Sequence, residues 1–338
     1  RRAVLDALSE ERGSVLVFLP GVAEIRRLEA ALRSVVRADD VILAPLHGQL
    51  DAAAQDTAIR PAPQGKRKLV LATAIAETSL TIEGIRVVID AGLMRLQRFD
   101  PKSGLSRLVT LPVSQAAADQ RRGRAGRLEP GVCYRLWPRH QHLLAHSPPE
   151  IVQADLTPLV LELAQWGVRD VAQLRWLDPP PAAHTAQATD LLHRLGALDA
   201  KGRVTPHGRA MLQLGAHPRL AHMMLRGGEL GYGSLACQLA AMLGERDPLR
   251  GAQPYEADMA LRLELLRGIG AAGERSGGLL RQIRATARQW QRQLHCDEPP
   301  ADHGDLRMIG VLLAFAYPDR IARRRRGSDK RFVLSNGR

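Results

Sequence analysis

Residues 15–36 read VLVFLPGVAEIRRLEAALRSVV, an apolar run followed directly by a helical repeat. Pro20-Gly21 ends the run, because this pair favours a turn over a continuing strand. In the segment that follows, apolar residues recur at the spacing of one helix face: Ile25, Leu28 and Leu32. The stretch therefore predicts a buried strand at 15–19 and a helix over 22–36, the repeating unit of a parallel α/β sheet.

Further short runs rich in apolar and β-branched residues have the length of buried strands: 41–46, 68–72, 86–89 and 132–136. Residues 93–111 differ, because two alternating stretches flank the turn-forming sequence Pro101-Lys102-Ser103-Gly104 and so predict a hairpin. The first 137 or so residues thus predict an α/β fold with a mostly parallel sheet. Folds of this class bind ligands at the carboxyl ends of their strands.

Beyond Ser147-Pro148-Pro149 the strand signals nearly vanish and helical patterns replace them. Periodic apolar residues predict helices at 151–166 and 186–195. A short polar loop around Gly202, just before Val204-Thr205, predicts the wing of a small helix-turn-helix domain.

Residues 219–313 are rich in Leu and Ala and almost entirely helical in pattern, which predicts a helix bundle with loops at Gly227-Gly228 and Gly277-Gly278. The tail, 321–338, alternates basic and apolar residues and predicts the first strand of a further domain. Because the chain begins Arg1-Arg2-Ala3, without Met or an apolar targeting segment, we expect it to be part of a longer protein.

The charge balance indicates a polyanionic partner. Lys and Arg number 48 against 35 Asp and Glu, which gives a net charge of +13, and the most common polyanion is nucleic acid. Arginines are densest at 121–139 and 320–331. Aromatic residues make up only 4% of the chain, so we expect contacts to the sugar-phosphate backbone rather than base stacking.

Other compositional signals exclude several classes of protein. No run of 18 uncharged apolar residues is present, so no membrane partner is expected. Cys133, Cys237 and Cys296 lie far apart and form no CxxC pair, which is typical of reduced thiols in a cytoplasmic protein. No metal site is expected, because the histidines near Cys133 (His140, His142 and His146) lack a paired-cysteine motif.

Two strings carry most of the chemical information. Residues 120–127 read QRRGRAGR, and guanidinium groups at this density need an anionic target or carboxylate partners, of which only Asp119 and Glu129 are local. If the string is helical, Arg124 and Arg127 share one face. A solvated arginine-rich loop is the alternative.

The second string, residues 72–82, reads ATAIAETSLTI and follows a predicted strand directly. Small residues and hydroxyls at the carboxyl end of a buried strand can donate hydrogen bonds to a phosphate backbone without steric obstruction.

Together the two strings, which begin 48 residues apart, resemble motifs V and VI of the superfamily 2 helicases, specifically of the DEAH-box group. Residues 18–21 (FLPG) are similar to motif IV, and 45–48 (PLHG) to the next RNA-facing loop. Four further strings resemble the winged-helix region of that group: 156–159, 177–180, 195–198 and 217–219. Residues 316–322 (AYPDRIA) resemble the bacterial HrpB-type subgroup.

The resemblance implies a domain order along the chain. Residues 1–143 are expected to form the second RecA-like domain, 144–215 a winged helix, 216–320 a helical bundle, and 321–338 the start of a truncated C-terminal β domain. The implied function is that of the C-terminal part of an NTP-dependent 3′ to 5′ RNA helicase, with single-stranded RNA as partner and a monomeric state.

The resemblance also assigns roles to individual residues. Arg124 and Arg127 match arginine fingers that reach the terminal phosphates of a nucleotide. Gln120 matches the residue that orients the attacking water, and Thr81 and Glu83 fall where the family contacts the ribose side of the nucleotide. The positions implied to hold the RNA backbone are Gly21, His47, Gly48 and Thr73, with Thr78 and Ser79 nearby; for the last two, helix capping is the alternative.

The sequence departs from the family pattern at two positions. Residue 74 is Ala where the family usually has Asn, which removes one polar contact from motif V. Ile59 stands where many members place a Phe that stacks on the base, so we expect a loose preference among NTPs.

A phosphate-binding P-loop is missing from the chain. The single Gly-Lys pair, Gly65-Lys66, is followed by Arg67 and lacks the upstream glycine of GxxxxGK[ST]. The string Asp297-Glu298-Pro299-Pro300 lies in a Pro-rich segment and is interpreted as a surface turn rather than a DEAH motif. ATP and Mg²⁺ are therefore expected to be held mainly by another domain, and this chain alone is expected to be inactive as an ATPase.

Two other interpretations remain open at this point. A winged-helix nucleic-acid-binding regulator with an α/β regulatory domain explains the charge and the wing, but leaves motifs V and VI unexplained. A Rossmann-type nucleotide-binding domain needs a glycine fingerprint after its first strand, and Leu19-Pro20-Gly21-Val22 lacks one.

Overall fold

The computed structural model describes residues 1–36, 39–48, 50–78, 81–101, 103–127, 129–249, 257–268, 277–296, 303–325, 327 and 331–335. Ser79 and the string 297–300 lie outside the described residues. The chain divides into two compact units, residues 1–154 and residues 155–338.

The first unit alternates helices and strands. In chain order they are α1 Arg2–Glu10, β1 Ser14–Phe18, α2 Val22–Arg33, β2 Val41–Leu46, α3 Ala52–Ile59, β3 Arg67–Ala72, α4 Ile75–Thr78, β4 Ile85–Asp90, β5 Leu93–Asp100, β6 Leu105–Pro112, α5 Gln115–Arg122 and β7 Val132–Arg135. The predicted strands are confirmed to within one residue at each end, and α2 ends three residues before the predicted position.

The main sheet has the strand order β2-β3-β1-β4-β7, and every neighbouring pair is parallel. This confirms the predicted α/β class. The strands are apolar on both faces because helices cover both, so alternate residues enter two different cores. Leu16 and Phe18 pack into one core, and Val15 and Val17 pack into the other.

One buried charge in this sheet escaped sequence analysis. Lys68 lies on β3 and is 3% exposed. Its Nζ donates hydrogen bonds to the backbone carbonyls of Thr57, Ala58 and Arg60, which are orphan acceptors at the C-terminal end of α3. Burial lowers the pKa of the Lys68 ammonium group. The lysine thus ties a helix end to the sheet.

Strands β5 and β6 form the predicted hairpin, paired antiparallel from Leu93 opposite Pro112 to Asp100 opposite Leu105. The segment after β7 returns to this region. Gln115 N donates to Leu144 O (2.7 Å), and Phe99 N donates to Gln153 O (2.7 Å). These hydrogen bonds hold residues 144–154 on the first unit.

The second unit is mostly helical. Its elements are α6 Thr157–Gln165, α7 Ala182–Arg194, α8 Pro206–Gln213, α9 Pro218–Glu229, α10 Gly233–Gly244, α11 Met259–Arg267, α12 Gly277–Gln293, α13 Ile309–Ala316, β8 Ala322–Arg324 and β9 Phe332–Leu334. Short 3₁₀ turns lie at Glu150–Val152 in the first unit and at Val171–Gln173, His303–Met308 and Pro318–Arg320 in the second.

The predicted wing is present as an antiparallel bridge between Leu198 and Val204 across the turn at Gly202. Thr205 then caps α8, because its Oγ1 accepts from Gly208 N at 3.0 Å. The prediction that a helix begins at 151 is wrong. Helix α6 begins at Thr157, where the Asp155 side chain accepts from Thr157 N at 2.9 Å.

The loops predicted at Gly227-Gly228 and Gly277-Gly278 are also wrong. Gly227 lies inside α9, and a Cβ placed on it would approach Ala236 Cβ to 2.6 Å and Leu312 Cδ2 to 3.0 Å. This glycine permits close packing of α9 on its neighbours rather than a turn. Gly277-Gly278 lie at the start of α12 rather than in a loop.

The two ends of the bundle meet at a buried ion pair. Arg219 on α9 donates to both carboxylate oxygens of Asp319, at 2.6 and 3.1 Å, and to Ala316 O at 3.0 Å. Beyond it, the tail forms two short antiparallel strands, β8 and β9, rather than the single strand that its alternation predicted.

A histidine pair joins α8 and α9. His207 Nε2 lies 2.8 Å from His222 Nδ1, and the ring of His222 also packs edge-on against Phe315 of α13. Burial, together with the neighbouring His207, lowers the pKa of His222 to about 4, and burial also lowers the pKa of His207. Both rings are therefore neutral at pH 7, when one can donate the shared hydrogen bond and the other accept it.

This pair predicts a loss of stability in mild acid. Between pH 6.5 and about 4 the unfolded chain protonates residue 222 while the folded chain does not, so the free energy of unfolding falls as the pH falls. The contribution of His222 is up to about 1.4 kcal/mol per pH unit. Urea denaturation across this range should show a weaker pH dependence for His222→Gln than for the wild type, whereas the exposed control His193→Gln keeps it. Equal slopes in all three proteins would contradict the assignment.

Candidate functional site

The strands β2, β3 and β1 end side by side and bring three motif segments to one edge of the sheet. Leu46, Ala72 and Phe18 are register partners at the carboxyl ends of these strands. Backbone hydrogen bonds continue past them, from Thr73 N to Leu46 O (3.3 Å) and from Leu19 N to Ala72 O (2.8 Å). Adjacent strands lie about 4.8 Å apart, so the segments that follow them are neighbours.

The predicted RNA contacts on these segments differ in exposure. Gly48 is exposed and Thr73 is half-buried, whereas His47 and Gly21 are buried. Gly21 is covered by Arg95 of the hairpin, whose Cζ would lie 3.0 Å from a Cβ at that position. The sheet edge therefore presents Gly48 and Thr73 directly.

Thr78 is the last residue of α4 and is exposed. It does not cap the N-terminus of α4, so the capping interpretation does not apply to that helix. Ala74, where the family usually has Asn, is exposed just before α4, and Ile59 is a half-buried residue at the end of α3.

Helix α5 carries the first half of the arginine string and ends before the second half. Ser114 caps its start, and Gly123 follows its last residue, Arg122. Arg124 N then donates to Arg121 O at 3.1 Å in a tight turn. Arg124 and Arg127 therefore do not share a helix face, because the helix ends at the first glycine of the string and the condition for that expectation is not met.

The turn nevertheless directs both arginines to the segment around motif V. Arg124 donates through Nε (3.0 Å) and Nη2 to the backbone carbonyl of Glu77. Arg127 donates through Nη1 to Thr81 Oγ1. Burial, and then the charge of Arg127, lowers the pKa of Arg124. The structure thus brings together Arg124, Arg127 and Thr81, three of the five residues predicted to bind nucleotide.

The other two nucleotide-binding candidates are exposed. Gln120 lies in the last turn of α5, and Glu83 lies in the turn before β4. No side-chain hydrogen bond within the described residues fixes either of them.

Arg121 is the residue that sequence analysis missed. It is 1% exposed, and its guanidinium donates to Glu77 Oε2 and to Asp90 Oδ1, both at 2.9 Å. The same group stacks on the ring of Phe18, 4.9 Å from the centroid. Asp90 ends β4 and is fully buried, so the arginine neutralises a charge that has no access to water.

Arg121 thereby joins the arginine string to motif V and to the ends of β1 and β4. The local carboxylates have other partners. Asp119 lies 2.6 Å from Arg135 and 3.7 Å from Arg122, and Glu129 lies 3.6 Å from Arg86. A solvated loop accounts for Arg122, but not for the buried Arg121.

The hydrogen-bond donors of this site suit the phosphate end of a nucleotide, but they do not suit a Mg²⁺ ion. Arg124, Arg127 and Gln120 supply guanidinium and amide donors, whereas Glu77 and Asp90 are already paired with Arg121. A site for Mg²⁺ needs carboxylate oxygens that can reach the ion. Among the described residues, no group of three or more His, Cys, Asp or Glu side chains is placed to hold a metal ion.

Comparison with known proteins identifies a family that this chain resembles. Residues 1–129 match the family model described as Helicase conserved C-terminal domain, and residues 188–215 match Helicase associated domain (HA2), winged-helix. The chain is 44% identical over 337 residues to the ATP-dependent RNA helicase HrpB of Escherichia coli (strain K12), which covers 99% of this chain and 39% of that protein. The crystal structure of Escherichia coli DEAH/RHA helicase HrpB matches with a TM-score of 0.85 at 43% identity, covering 99% of this chain and 40% of that chain.

Nearly the whole of this chain is similar to the C-terminal part of the DEAH/RHA helicases. A eukaryotic relative, the pre-mRNA-splicing factor ATP-dependent RNA helicase prp22 of Schizosaccharomyces pombe (strain 972 / ATCC 24843), is 41% identical over 244 residues, which is 70% of this chain and 21% of that protein. This chain spans about two fifths of the length of the HrpB protein it matches. A winged-helix regulator does not account for the helicase match over residues 1–129.

Within the described residues, no helix has both the length and the apolar character needed to cross a bilayer. Cys133, Cys237 and Cys296 are free thiols. Cys237 and Cys296 lie in contact despite their separation in sequence, and burial raises the pKa of the Cys237 thiol.

Proposed function

We propose that this chain is the C-terminal part of an ATP-dependent 3′ to 5′ RNA helicase, and that it supplies arginine fingers for hydrolysis and contacts to the RNA backbone. One observation carries the proposal. Arg124 and Arg127 are held on Glu77 and Thr81, in the segment that leads on from Thr73 at the sheet edge. The groups that would face nucleotide and those that would face RNA are thus coupled through α4.

Bound ATP with Mg²⁺ supplies the phosphoryl group whose transfer to water provides the energy for movement. In this proposal Arg124 and Arg127 neutralise charge that develops on the terminal phosphate, and Gln120 orients the attacking water. Thr81 and Glu83 contact the ribose side. Each arginine must leave its present acceptor for a phosphate oxygen, an exchange that bidentate guanidinium pairing favours.

On the RNA side, Thr73 and Gly48 meet the sugar-phosphate backbone, with Gly21, His47, Thr78 and Ser79 close to the strand. These contacts do not distinguish one base from another, because hydroxyl and backbone groups at the end of a β-strand bind the phosphate and sugar of the RNA. Movement of α4 relative to the sheet edge would transmit the state of the fingers to Thr73. The domain boundaries 1–143, 144–215, 216–320 and 321–338, a monomeric state and a cytoplasmic location remain predictions within this proposal.

The proposal predicts that the chain alone hydrolyses no ATP above background. In this proposal the chain contacts the phosphate end of a nucleotide, but its sequence contains no P-loop string. Release of phosphate should be measured with the purified chain, with and without single-stranded RNA, and again after addition of a P-loop domain from the same family. Appreciable turnover by a clean preparation of the chain alone would contradict this prediction.

A further inference from the structure

A cavity of about 450 Å³ lies in the first unit, between the β5–β6 hairpin and the segment 142–153 that follows β7. We call it the hairpin pocket. Most of its lining side chains are apolar, and its volume falls within the roughly 300–1,000 Å³ of pockets that take whole small molecules. None of the described residues proposed above to contact nucleotide or RNA lines this pocket. It is therefore a candidate for a separate ligand.

The hairpin gives the pocket an elongated floor. Because side chains on a strand alternate between its two faces, the lining residues Met94, Leu96 and Arg98 share one face of β5. Leu111 lies opposite Met94 on β6 and lines the pocket with them. From Met94 to Arg98 the floor extends about 13 Å, at about 3.3 Å per residue. A floor of this shape suits an extended apolar chain better than a compact group.

Positive charge lies at one end of this floor. Arg98 lines the pocket and is exposed, and its register partner on β6 is another arginine, Arg107. Like charges directly opposite each other on two strands destabilise the pair. Among the described residues, neither guanidinium has an ion pair or a side-chain hydrogen bond, and residues 93–112 contain four basic residues against one acid, Asp100. An anionic group bound beside Arg98 offsets this repulsion.

The other end of the pocket offers a neutral donor. Ser114 is 4% exposed and lines the pocket where β6 leads into α5. Its Oγ accepts hydrogen bonds from Ala117 N and from Ser147 Oγ, both at 3.2 Å. The proton of the Ser114 hydroxyl is therefore available to a ligand. The described lining residues include no Asp or Glu, so the wall does not repel an anion.

We infer that the hairpin pocket binds a small amphipathic anion, an extended apolar chain that ends in one carboxylate. The chain lies along the floor and against Leu144, and the guanidinium fork of Arg98 donates to both carboxylate oxygens. A single lining arginine balances a monoanion. A nucleic acid strand fits this site poorly, because each of its residues is charged and the apolar wall offers its bases no hydrogen-bond partners. The inference goes beyond the motor function proposed above and does not depend on it.

Two matched pairs of exposed residues test the site in the whole chain. Leu144 lines the pocket and is 68% exposed, whereas Leu108 is 65% exposed and lies opposite Gln97 on the other face of the hairpin. Arg98 lines the pocket, whereas Arg26 of α2 is an exposed arginine outside it. Because all four side chains are exposed, their replacement by Gln should leave the fold intact, which a melting curve checks.

The probe is decanoate below its micelle threshold, and binding is measured by calorimetry. We expect one site per chain and a Kd that Leu144→Gln raises about fivefold relative to Leu108→Gln, since part of the apolar contact is lost. Arg98→Gln should raise the Kd about threefold relative to Arg26→Gln. Decanol has the same chain without the charge, so we expect it to bind more weakly than decanoate and to be unaffected by Arg98→Gln.

Three results overturn the proposal: no saturable binding of decanoate up to about 1 mM, equal Kd values in the pocket variants and their controls, or binding of decanol as tight as that of decanoate. The two pairs are independent, so a folding defect in one variant leaves the other pair decisive. Single-stranded RNA is titrated in parallel. If Arg98→Gln weakens RNA binding and leaves decanoate binding unchanged, the arginine contacts nucleic acid instead, and the proposal is likewise overturned.

Discussion

Arg124→Ala or Arg127→Ala is expected to lower the kcat of ATP hydrolysis by about 10³–10⁵-fold when the chain acts with a P-loop domain of its family. The guanidinium groups interact most strongly with charge that develops in the transition state, so the loss falls on kcat and only weakly on RNA affinity. Steady-state kinetics with saturating RNA, together with an RNA titration, separates the two effects.

The matched control for this prediction is Arg122→Ala. Arg122 lies in the same string but is 62% exposed, and its nearest carboxylate oxygen is 3.7 Å away on Asp119. We expect its kcat to stay within about threefold of the wild type. Near-normal hydrolysis by both finger variants would show that Arg124 and Arg127 serve only to position motif V.

Arg121→Ala is expected to destabilise the first unit by about 3–5 kcal/mol. The substitution leaves the carboxylate of Asp90, fully buried, without its cation, and also removes the hydrogen bond to Glu77. Urea or thermal denaturation of the whole chain measures the change. The exposed neighbour serves again as control, since Arg122→Ala should cost less than about 1 kcal/mol.

A second substitution tests the physical reason for that loss. Adding Asp90→Asn to Arg121→Ala removes the uncompensated buried charge, so we expect it to recover part of the stability. A cost below 1 kcal/mol for Arg121→Ala, or no recovery in the double variant, would contradict the assignment of Arg121 as the buried link between the arginine string and the sheet.

Much of the fold could be predicted because it depends on local patterns. The strands of the parallel sheet are short apolar runs bounded by turn residues, and the hairpin is marked by Pro101 and Gly104. The four motif strings, read in order, predicted the family that the comparisons confirmed. The strand and hairpin signals each lie within a few neighbouring residues, and the motif signal is the order of the four strings along the chain. Both can therefore be recognised in the sequence alone.

Features that depend on partners distant in sequence could not be predicted. Arg121 finds Asp90 and Glu77, which lie 31 and 44 positions away, and nothing local distinguishes it from the exposed Arg122. The glycine pair at Gly227 is typical of a loop, but Gly227 lies in a helix. A glycine is needed there because Ala236 and Leu312 pack closely against it.

The candidate site likewise combines features that the sequence predicts with features that depend on contacts between distant residues. Sequence resemblance named the residues at the sheet edge, and the parallel register explains why Gly21, His47 and Thr73 gather there. It did not indicate that Arg95 covers Gly21, or that Arg124 and Arg127 lie beyond the end of a helix. Those details come from tertiary contacts.

The most direct test of the central claim is binding of the purified chain to a fluorescent single-stranded RNA and to a duplex DNA of equal length, across a salt series. The account predicts tighter binding of the RNA, a linear fall of log K with log salt, and weaker RNA binding by Thr73→Ala but not by the exposed control Thr57→Ala. Tighter, sequence-dependent binding of duplex DNA that is unaffected by Thr73→Ala would show instead that the winged helix is the working surface, and would contradict the proposed helicase function.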